Sequence, residues 1–177
     1  MVQRLARLGL VRAERYRGAK LSAAGRAAAL QLIRRHRILE SYLVTRLGFG
    51  WENVHEEAER LEHAASDELI ARMAEEIGNP TEDPHGAPIP TATGEVDETR
   101  LSSIADLPKG ALAKVVRVSD RDPSFLRYLD GLGVRPGAAI KVGGREPYEG
   151  SIPIVVDGTK RAIGMDAAAR VYVKRRG

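Results

Sequence analysis

The stretch that decides the fold lies between residues 55 and 63 and reads His55-Glu56-Glu57-Ala58-Glu59-Arg60-Leu61-Glu62-His63. In a helix, which turns by about 100° per residue, four of its imidazole and carboxylate side chains share one face. These four are His55, Glu59, Glu62 and His63. Nitrogen and oxygen donors of this kind suit Mn²⁺, Fe²⁺ or Zn²⁺. The alternative is a solvated, Glu-rich helix face with two hydrogen-bonded histidines.

The apolar residues around this stretch predict that its helix packs against a core. They recur at steps of three or four and comprise Trp51, Val54, Ala58, Leu61, Ala65, Leu69, Met73 and Ile77. This periodicity predicts one helix over residues 51–77 with a core-facing strip. The ligand-type face borders the strip, so its side chains should be half-buried and in need of partners.

A second long helix is predicted just before this one. Ser22 is a suitable N-cap, and the helix should run to about Leu47 and end at Gly48. His36 and Glu40 lie one turn apart on it, which indicates a second half-site or a plain hydrogen bond on the helix surface. The link 48–50 is short, so the two helices should pack antiparallel and bring this pair towards His55.

The N-terminal residues predict part of a DNA-binding module. Residues 1–10 read as a short amphipathic helix, and the alternating residues from Leu10 to Leu21 read as a small β-hairpin. This is the order found in the second half of a winged helix-turn-helix. Helix side chains would face the major groove and wing arginines would contact phosphates. The candidate DNA-binding residues are Gln3, Arg4, Arg7, Arg15 and Arg17. The alternative is an ordinary helix–hairpin corner with surface arginines.

The amino-acid composition and the hydrophobic pattern change in the second half of the chain. Residues 79–98 are rich in Pro, Gly and Asp and read as a linker. Five short β runs follow, at 114–118, 139–142, 152–156, 160–163 and 170–173, with a helix over 123–132. These elements predict a small β-barrel. The expected division is a partial winged helix (1–23), a helical domain with its linker (24–98) and a barrel domain (99–177).

The amino-acid composition excludes several classes of site and of function. The chain of 177 residues has no cysteine, which excludes disulfides, thiolate nucleophiles and Cys-type zinc sites. Its net charge is +4, and residues 1–37 contain a single acid, Glu14, so the basic end is the candidate nucleic-acid surface. No run is long enough to span a membrane, and we expect a cytoplasmic protein. There is no phosphate-loop or nucleophile motif, so no enzyme is predicted.

Several motifs, in this order and spacing, resemble the diphtheria toxin repressor family of metal-dependent transcriptional regulators. They are Arg34-Arg35-His36-Arg37-Ile38-Leu39-Glu40, Val54-His55-Glu56-Glu57-Ala58-Glu59, Leu61-Glu62-His63, Ser66-Asp67, Asp83-Pro84-His85-Gly86 and Pro88-Ile89-Pro90. The tail, with Leu107-Pro108-Lys109-Gly110 and Gly133-Val134-Arg135-Pro136-Gly137, is similar to the SH3-like barrel of many members, which is related to ferrous-iron transport accessory domains. The resemblance implies an α+β fold with a partial winged helix, a helical metal-binding and dimerisation domain and an SH3-like β-barrel.

The resemblance also implies two metal sites. The family's ancillary site would fall on His36, Glu40 and His55, and its primary site on Glu59, Glu62 and His63. An acidic barrel residue helps to hold the ancillary metal in related regulators, and Asp122 or Asp120 is the match here.

Glu59 bears on the choice of metal. Iron-responsive members typically have a cysteine at this position and manganese-responsive members a glutamate, so the resemblance implies Mn²⁺, with Fe²⁺ as the alternative. The implied function is a homodimeric repressor that binds a double-stranded DNA operator and represses metal-uptake genes when metal is bound.

Two further readings remain open. The family has two helices before the recognition helix, one of which supplies a primary-site ligand, and the chain lacks both; we therefore expect a truncated N-terminus or a late start. A metal-binding dimer without DNA binding is one alternative function. A metallohydrolase is a remote one, because the zinc-enzyme motif order is absent.

Overall fold

A computed structural model of the chain describes residues 2–14, 18–97, 99–144 and 150–175. Its helices are α1 (Val2–Arg7), α2 (Ala23–Leu47), α3 (Val54–Glu62), α4 (Asp67–Glu76), α5 (Pro123–Leu132) and α6 (Met165–Ala168). Its strands are β1 (Val11–Glu14), β2 (Gly18–Leu21), β3 (Ser102–Ser103), β4 (Leu112–Val118), β5 (Ala139–Val142), β6 (Ser151–Val156), β7 (Thr159–Gly164) and β8 (Val171–Arg175). None of the helices described is long and apolar enough to cross a membrane.

The N-terminal unit is a short helix followed by an antiparallel hairpin, as the sequence predicts. Strands β1 and β2 pair from Val11–Leu21 to Glu14–Gly18. The hairpin is held against α2 at Gly25, where an added Cβ would lie 1.9 Å from the carbonyl oxygen of Leu10. Helix α1 buries none of its residues. The winged helix-turn-helix itself therefore stays a prediction.

The helical unit is built on α2. Ser22 caps its start by accepting a hydrogen bond from the Gly25 amide, and Gly48 ends it in the left-handed conformation at φ 72°. Helices α3 and α4 pack against α2 around a shared apolar core. The core residues are Ile38, Leu39, Leu43, Val54, Ala58, Ile70, Ala74 and Ile89.

The prediction of one helix over residues 51–77 is wrong. The structure divides this segment into α3 and α4, separated by a turn. The reason is local: the Ser66 side chain accepts a hydrogen bond from the Leu69 amide and starts a new helix there. The apolar strip continues across the break, which is why its periodicity conceals the turn.

The C-terminal unit is a six-stranded antiparallel sheet in the order β3-β8-β4-β5-β6-β7. All five predicted strands are present as β4 to β8, and the predicted helix is α5. The predicted barrel is corrected in one respect, because the described strands form an open sheet with β3 and β7 at its edges. Strand β3 has two residues and pairs with β8 alone, so it does not close the sheet onto β7.

The two units meet at a seam formed by the loop 83–88 and by Trp51. The Val118 amide of β4 donates to the His85 carbonyl at 2.9 Å. An added Cβ on Gly86 would lie 1.8 Å from the Val116 carbonyl oxygen, so only glycine allows this close approach. Trp51 belongs to the helical unit by sequence but packs in the core of the sheet domain. The seam thus fixes the sheet domain beside α2.

Candidate metal centre

Two helices bring His36, Glu40 and His55 together. The Nε2 atom of His36 lies 3.0 Å from Glu40 Oε1 and 3.0 Å from His55 Nδ1. The Nδ1 atom of His55 lies 3.0 Å from the same Glu40 oxygen. We call these three residues the ancillary cluster. The sequence places the first two one turn apart on α2, and the short link to α3 turns His55 back towards them.

The spacing of the ancillary cluster fits a metal ion. Metal–ligand bonds of about 2.1 Å at right angles put neighbouring ligand atoms about 3.0 Å apart. Two imidazole nitrogens and a carboxylate oxygen are the donor types that Mn²⁺, Fe²⁺ and Zn²⁺ accept. The Glu40 side chain is fully buried, so its charge requires a positive partner.

The charges of the cluster stabilise one another. Burial lowers the pKa of His36, but its hydrogen bonds with Glu40 and Glu62 outweigh burial and raise that pKa to about 9. Burial raises the pKa of Glu40, but hydrogen bonds from both histidines outweigh it and lower that pKa to about 2. The hydrogen bond with Glu40 also raises the pKa of His55. The carboxylate is therefore ionised and ready to bind a cation.

The predicted primary-site residues lie beside this cluster but do not form one of their own. Glu62 Oε2 lies 2.9 Å from His36 Nδ1, and its Oε1 lies 3.3 Å from His63 Nε2. Glu59 lines the same cavity as Glu62, while the side chain of His63 is 72% exposed. Within the described residues, Glu59, Glu62 and His63 are not drawn together as closely as the ancillary cluster is.

A second cluster, which the sequence analysis did not assign, consists of Glu40, Asp83 and His85; we call it the inner cluster. One potential ligand atom from each lies within 4.8 Å of the others, and all three residues are buried. Asp83 and His85 come from the loop 83–88 and reach Glu40 from outside the two helices of the ancillary cluster. The family motif Asp83-Pro84-His85-Gly86 was the available signal, since it places an acid and an imidazole two residues apart in a tight turn.

The inner cluster contains polar atoms that need a partner. Glu40 Oε2, Asp83 Oδ2 and His85 Nδ1 are buried without a hydrogen bond. His85 Nε2 lies 2.7 Å from the Trp51 carbonyl oxygen and donates to it, so Nδ1 is the ring nitrogen left without a partner. Burial and the charge of Glu40 raise the pKa of Asp83. Carboxylate oxygens and an imidazole nitrogen that are buried this close together are atoms that a cation can bind.

Arg37 is close to this cluster. Its Nε lies 3.3 Å from Asp83 Oδ2, near enough for an ion pair although the angle does not make a hydrogen bond. The charge of Asp83 is therefore partly balanced without a metal ion.

Asp122 does not reach either cluster. Its Oδ1 accepts hydrogen bonds from the Ser124 amide and hydroxyl and from the Phe125 amide, so it serves as the N-cap of α5. Asp120, the other residue considered, lines a cavity of about 380 Å³ together with His36 and His55. Its charge also helps to raise the pKa of His55. Of the two acidic residues considered, Asp120 is the one that lines this cavity, and its role as a metal ligand stays a prediction.

The arginines of the basic run 34–37 on α2 donate hydrogen bonds to backbone carbonyls of neighbouring segments. Arg34 donates to the Pro90 carbonyl at 2.8 Å, and Arg37 donates to the Pro88 carbonyl. Arg35 donates to the carbonyl of Glu62 at 3.0 Å and to that of Ala65. These arginines hold in place the segments that carry Glu62 and Asp83, a role that a charge run does not reveal by itself.

The predicted DNA-binding residues divide into two groups. Gln3, Arg4 and Arg7 are exposed on α1. Arg15 and Arg17 lie outside the described residues. Their contact with DNA stays a prediction.

Two protein-family models match the helical unit and the sheet domain of the chain. Residues 22–91 match the iron dependent repressor, metal binding and dimerisation domain, and residues 103–175 match the FeoA domain. Among relatives, the iron-dependent repressor IdeR of Mycobacterium tuberculosis is 35% identical over 169 residues, which cover 89% of this chain and 73% of the relative. The diphtheria toxin repressor of Corynebacterium glutamicum is 30% identical over 185 residues, covering 98% and 79%.

Solved structures of transcriptional repressors are also similar to this chain. A manganese-dependent transcriptional repressor in complex with manganese has a TM-score of 0.91 and 39% identity, covering 99% of this chain and 82% of that chain. ScaR with bound Zn²⁺ has a TM-score of 0.83 and 28% identity, covering 99% and 87%. These relatives are transcriptional repressors rather than enzymes. The chain belongs to the diphtheria toxin repressor family of metal-dependent transcriptional repressors.

Proposed function

We propose that this chain senses Mn²⁺ and forms the metal-binding and dimerising part of a repressor of metal-uptake genes. The observation that carries the proposal is the ancillary cluster, whose three ligand atoms lie 3.0 Å from one another. We assign residues 1–23 to DNA contact and residues 24–98 to metal binding and dimerisation. Residues 99–177 are the sheet domain, which we propose supplies Asp120 to the metal.

The choice of Mn²⁺ rests on the donor set. All proposed ligands are imidazole nitrogens and carboxylate oxygens, and Glu59 stands where a thiolate would soften the site. The manganese complex of a structural relative supports the same choice. Fe²⁺ is the alternative ion, since it accepts the same donors and IdeR is described as iron-dependent.

When bound, the ion would supply positive charge at the junction of three segments. His36 and Glu40 belong to α2, His55 belongs to α3, and Asp120 follows β4 in the sheet domain. A ligand that touches all these segments favours the arrangement in which they converge, and so shifts the population towards it. In a homodimer this would set the spacing of two DNA-binding units on a palindromic operator.

Calorimetry with Mn²⁺ tests the metal proposal. We expect saturable binding by the native chain and at least about tenfold weaker binding by His36→Ala, because the variant removes a nitrogen donor. Glu68→Ala, an exposed residue of α4 paired with Arg72, is the control and should bind as the native chain does. Equal binding by His36→Ala and the native chain would contradict the proposal.

A second candidate function is a metal-binding dimer that does not bind DNA. It is favoured by α1, which buries none of its residues and so has little to fix its orientation. A gel shift with operator-like palindromic DNA, with and without Mn²⁺, separates the two functions. A Mn²⁺-dependent shift supports the repressor, whereas metal binding without any shift supports the second candidate.

A further inference from the structure

The six-stranded sheet has an outer face, on the side opposite its core, that is rich in lysine. Along β4 and β5, buried apolar side chains alternate with exposed ones, as in a sheet with one face in solvent. None of the described strands β3 to β8 contains Asp or Glu, so their positive charge is not offset within the strands. Their basic residues are Lys114, Arg117, Lys141, Lys160, Arg161, Lys174 and Arg175.

Strand pairing places three of these lysines side by side. Lys114 of β4 lies directly opposite Lys174 of β8, and both are exposed. On its other side Lys114 pairs with Ala139 of β5, which is two residues from the exposed Lys141. Residues that are paired across strands, or two apart along one strand, project on the same face of a sheet. Lys114, Lys141 and Lys174 therefore share the outer face.

A fourth lysine extends this surface to the edge of the sheet. Lys141 pairs with Val155 of β6, and Val155 pairs with Lys160 of β7, which is exposed. The charges are thus spread across the width of the sheet, from β8 to β7, rather than gathered at one point. We call Lys114, Lys141, Lys160 and Lys174 the lysine face.

The lysine face has little counter-charge. In the part of the chain that the structure describes, no carboxylate lies within ion-pair distance of any of its four lysines. Asp97 lines a small recess together with Lys174, and the Asp157 carboxylate accepts a hydrogen bond from the Ala139 amide at 2.9 Å. Like charges directly opposite each other on a sheet repel, so the pair formed by Lys114 and Lys174 destabilises the sheet unless an anion lies over it.

The excess of positive charge is a property of the sheet domain and not of the whole chain. Residues 99–177 contain 15 basic and eight acidic residues, whereas residues 24–98 contain seven basic and 15 acidic ones. A polyanion is therefore attracted by the sheet domain and repelled by the helical unit.

We propose that the lysine face is a second DNA-binding surface, which contacts the phosphate backbone of duplex DNA without reading its sequence. Lysine ammonium groups neutralise phosphates as point charges and release the cations condensed on the duplex. A duplex presents a continuous series of phosphates, whereas a small anion does not reach outward-facing lysines on β8 and β7, which three strands separate.

The apolar content of the surface favours DNA over a membrane as the partner. Among the large apolar residues of the described strands β3 to β8, Leu112 alone is exposed. Binding at a lipid surface increases with the apolar area that enters the bilayer, and one leucine supplies little of it. The proposal rests on the proposed function only for its choice of partner, because the lysine face contains none of the proposed metal ligands or the predicted contacts of residues 1–23.

The test measures the binding of the full chain, stripped of metal, to a short fluorescent duplex of non-palindromic sequence. Anisotropy is recorded at several salt concentrations, and we expect the affinity to fall steeply as salt is added. Lys114→Gln with Lys141→Gln should weaken binding at low salt by at least about tenfold. It should also reduce the slope of log affinity against log salt by about two, because each phosphate contact contributes about 0.9. Arginine at both positions keeps the charge and should keep the slope.

The matched control is Arg72→Gln with Arg127→Gln, two exposed arginines outside the strands that change the net charge equally. It should keep the slope of the native chain. The proposal is overturned if the native chain does not bind the duplex or if the control loses as much slope as the lysine variant. It is also overturned if the lysine variant loses affinity for vesicles of phosphatidylglycerol and phosphatidylcholine but not for DNA.

A second titration separates this proposal from the repressor function. It uses Mn²⁺ and an operator-like palindromic duplex, which report on the metal centre and on residues 1–23. A Mn²⁺-dependent shift, with an unchanged slope in the lysine variant, would overturn the second surface alone. A reduced slope in that variant, without any response of the native chain to Mn²⁺, would overturn the repressor function alone. Circular dichroism of each variant verifies that the fold is retained.

Discussion

At the scale of single residues, Glu40 is the centre of the site. One of its oxygens contacts both histidines of the ancillary cluster and the other is buried without a hydrogen bond, while Asp83 and His85 lie close to the same carboxylate. Either cluster filled by a cation would fix the orientation of the carboxylate for the other. We therefore expect that a cation bound at one cluster would change the affinity of the other through this side chain.

Glu59 tests the choice of metal. We expect Glu59→Cys to lower the preference for Mn²⁺ over Zn²⁺ by about tenfold or more, because a thiolate favours softer ions than a carboxylate does. Competition between the two ions, followed by Mn²⁺ electron paramagnetic resonance, measures the change. Glu56→Cys adds a thiol at an exposed position outside the cavity lining and should leave the preference unchanged. An unchanged ratio in Glu59→Cys would count against its role as a ligand.

The raised pKa of His36 predicts that metal binding depends on pH. At pH 7 the metal-free protein holds a proton on His36, whose pKa is about 9, and a metal ion must displace it. Affinity for Mn²⁺ should therefore rise by about tenfold from pH 7 to pH 8 and by less from pH 8 to pH 9, with about one proton released from His36 per ion at pH 7. Calorimetry in buffers of different ionisation enthalpy counts that proton. His36→Gln should bind weakly and lose this proton release.

The same shift affects the metal-free fold in the opposite direction. The folded pKa of His36 lies above its ordinary value of 6.5, so protonation stabilises the fold fully below about pH 6.5. That contribution is lost as the pH rises through about 9. The metal-free protein should therefore unfold more easily at pH 9 than at pH 7, and added Mn²⁺ should reduce the difference. Thermal unfolding across this range measures both effects.

At the scale of elements, two helical glycines make opposite predictions. Gly25 of α2 has no space for a Cβ, which would meet the Leu10 carbonyl, whereas Gly131 of α5 has nothing within 4 Å. Gly131→Ala should stabilise the chain by about 0.5–1 kcal/mol through helix propensity. Gly25→Ala should destabilise it, because the hairpin must move away from α2. Chemical denaturation distinguishes them, and a stabilising Gly25→Ala would contradict the packing described.

The helices and strands also show which parts of the fold can be predicted from the sequence. Capping residues and periodicity are local signals, so Ser22, Gly48 and the strands β4 to β8 could be predicted. The break between α3 and α4 was not predicted, because the apolar strip continues across Ser66, the residue whose side chain caps the start of α4. His36, Glu40 and His55 could be joined in advance because a short link favours antiparallel packing of the two helices, and this holds although the link is six residues long (48–53) rather than the three predicted.

The residues that sequence reasoning missed depend on distant contacts. Asp83 and His85 come more than forty residues after Glu40, and nothing local states that their loop turns onto α2. The sequence left both Asp120 and Asp122 open, whereas in the structure Asp122 caps α5 and Asp120 lines the cavity beside His36 and His55. Such choices are made by packing between units, which a linear pattern does not contain.

At the scale of the whole molecule, the helical unit leaves apolar side chains exposed. Leu47 is 59% exposed and Leu69 is 43% exposed, and both lie within the segment that matches a dimerisation domain. We expect sedimentation to show a dimer at micromolar concentration, and Leu47→Ser with Leu69→Ser to shift it towards monomer. Leu112→Ser, which removes a 52% exposed leucine from the sheet domain, is the control. A native chain that sediments as a monomer would contradict this.

Trp51 is the single tryptophan of the chain, and its position gives the molecule a natural fluorescent reporter. Its indole lies 5.7 Å from the His85 ring and 4.7 Å below the Arg135 guanidinium, so it is 5% exposed. Emission from a buried indole shifts in wavelength and intensity when neighbouring charges or water change. Movement of the sheet domain against α2, or occupancy beside His85, can therefore be followed optically in the unlabelled protein.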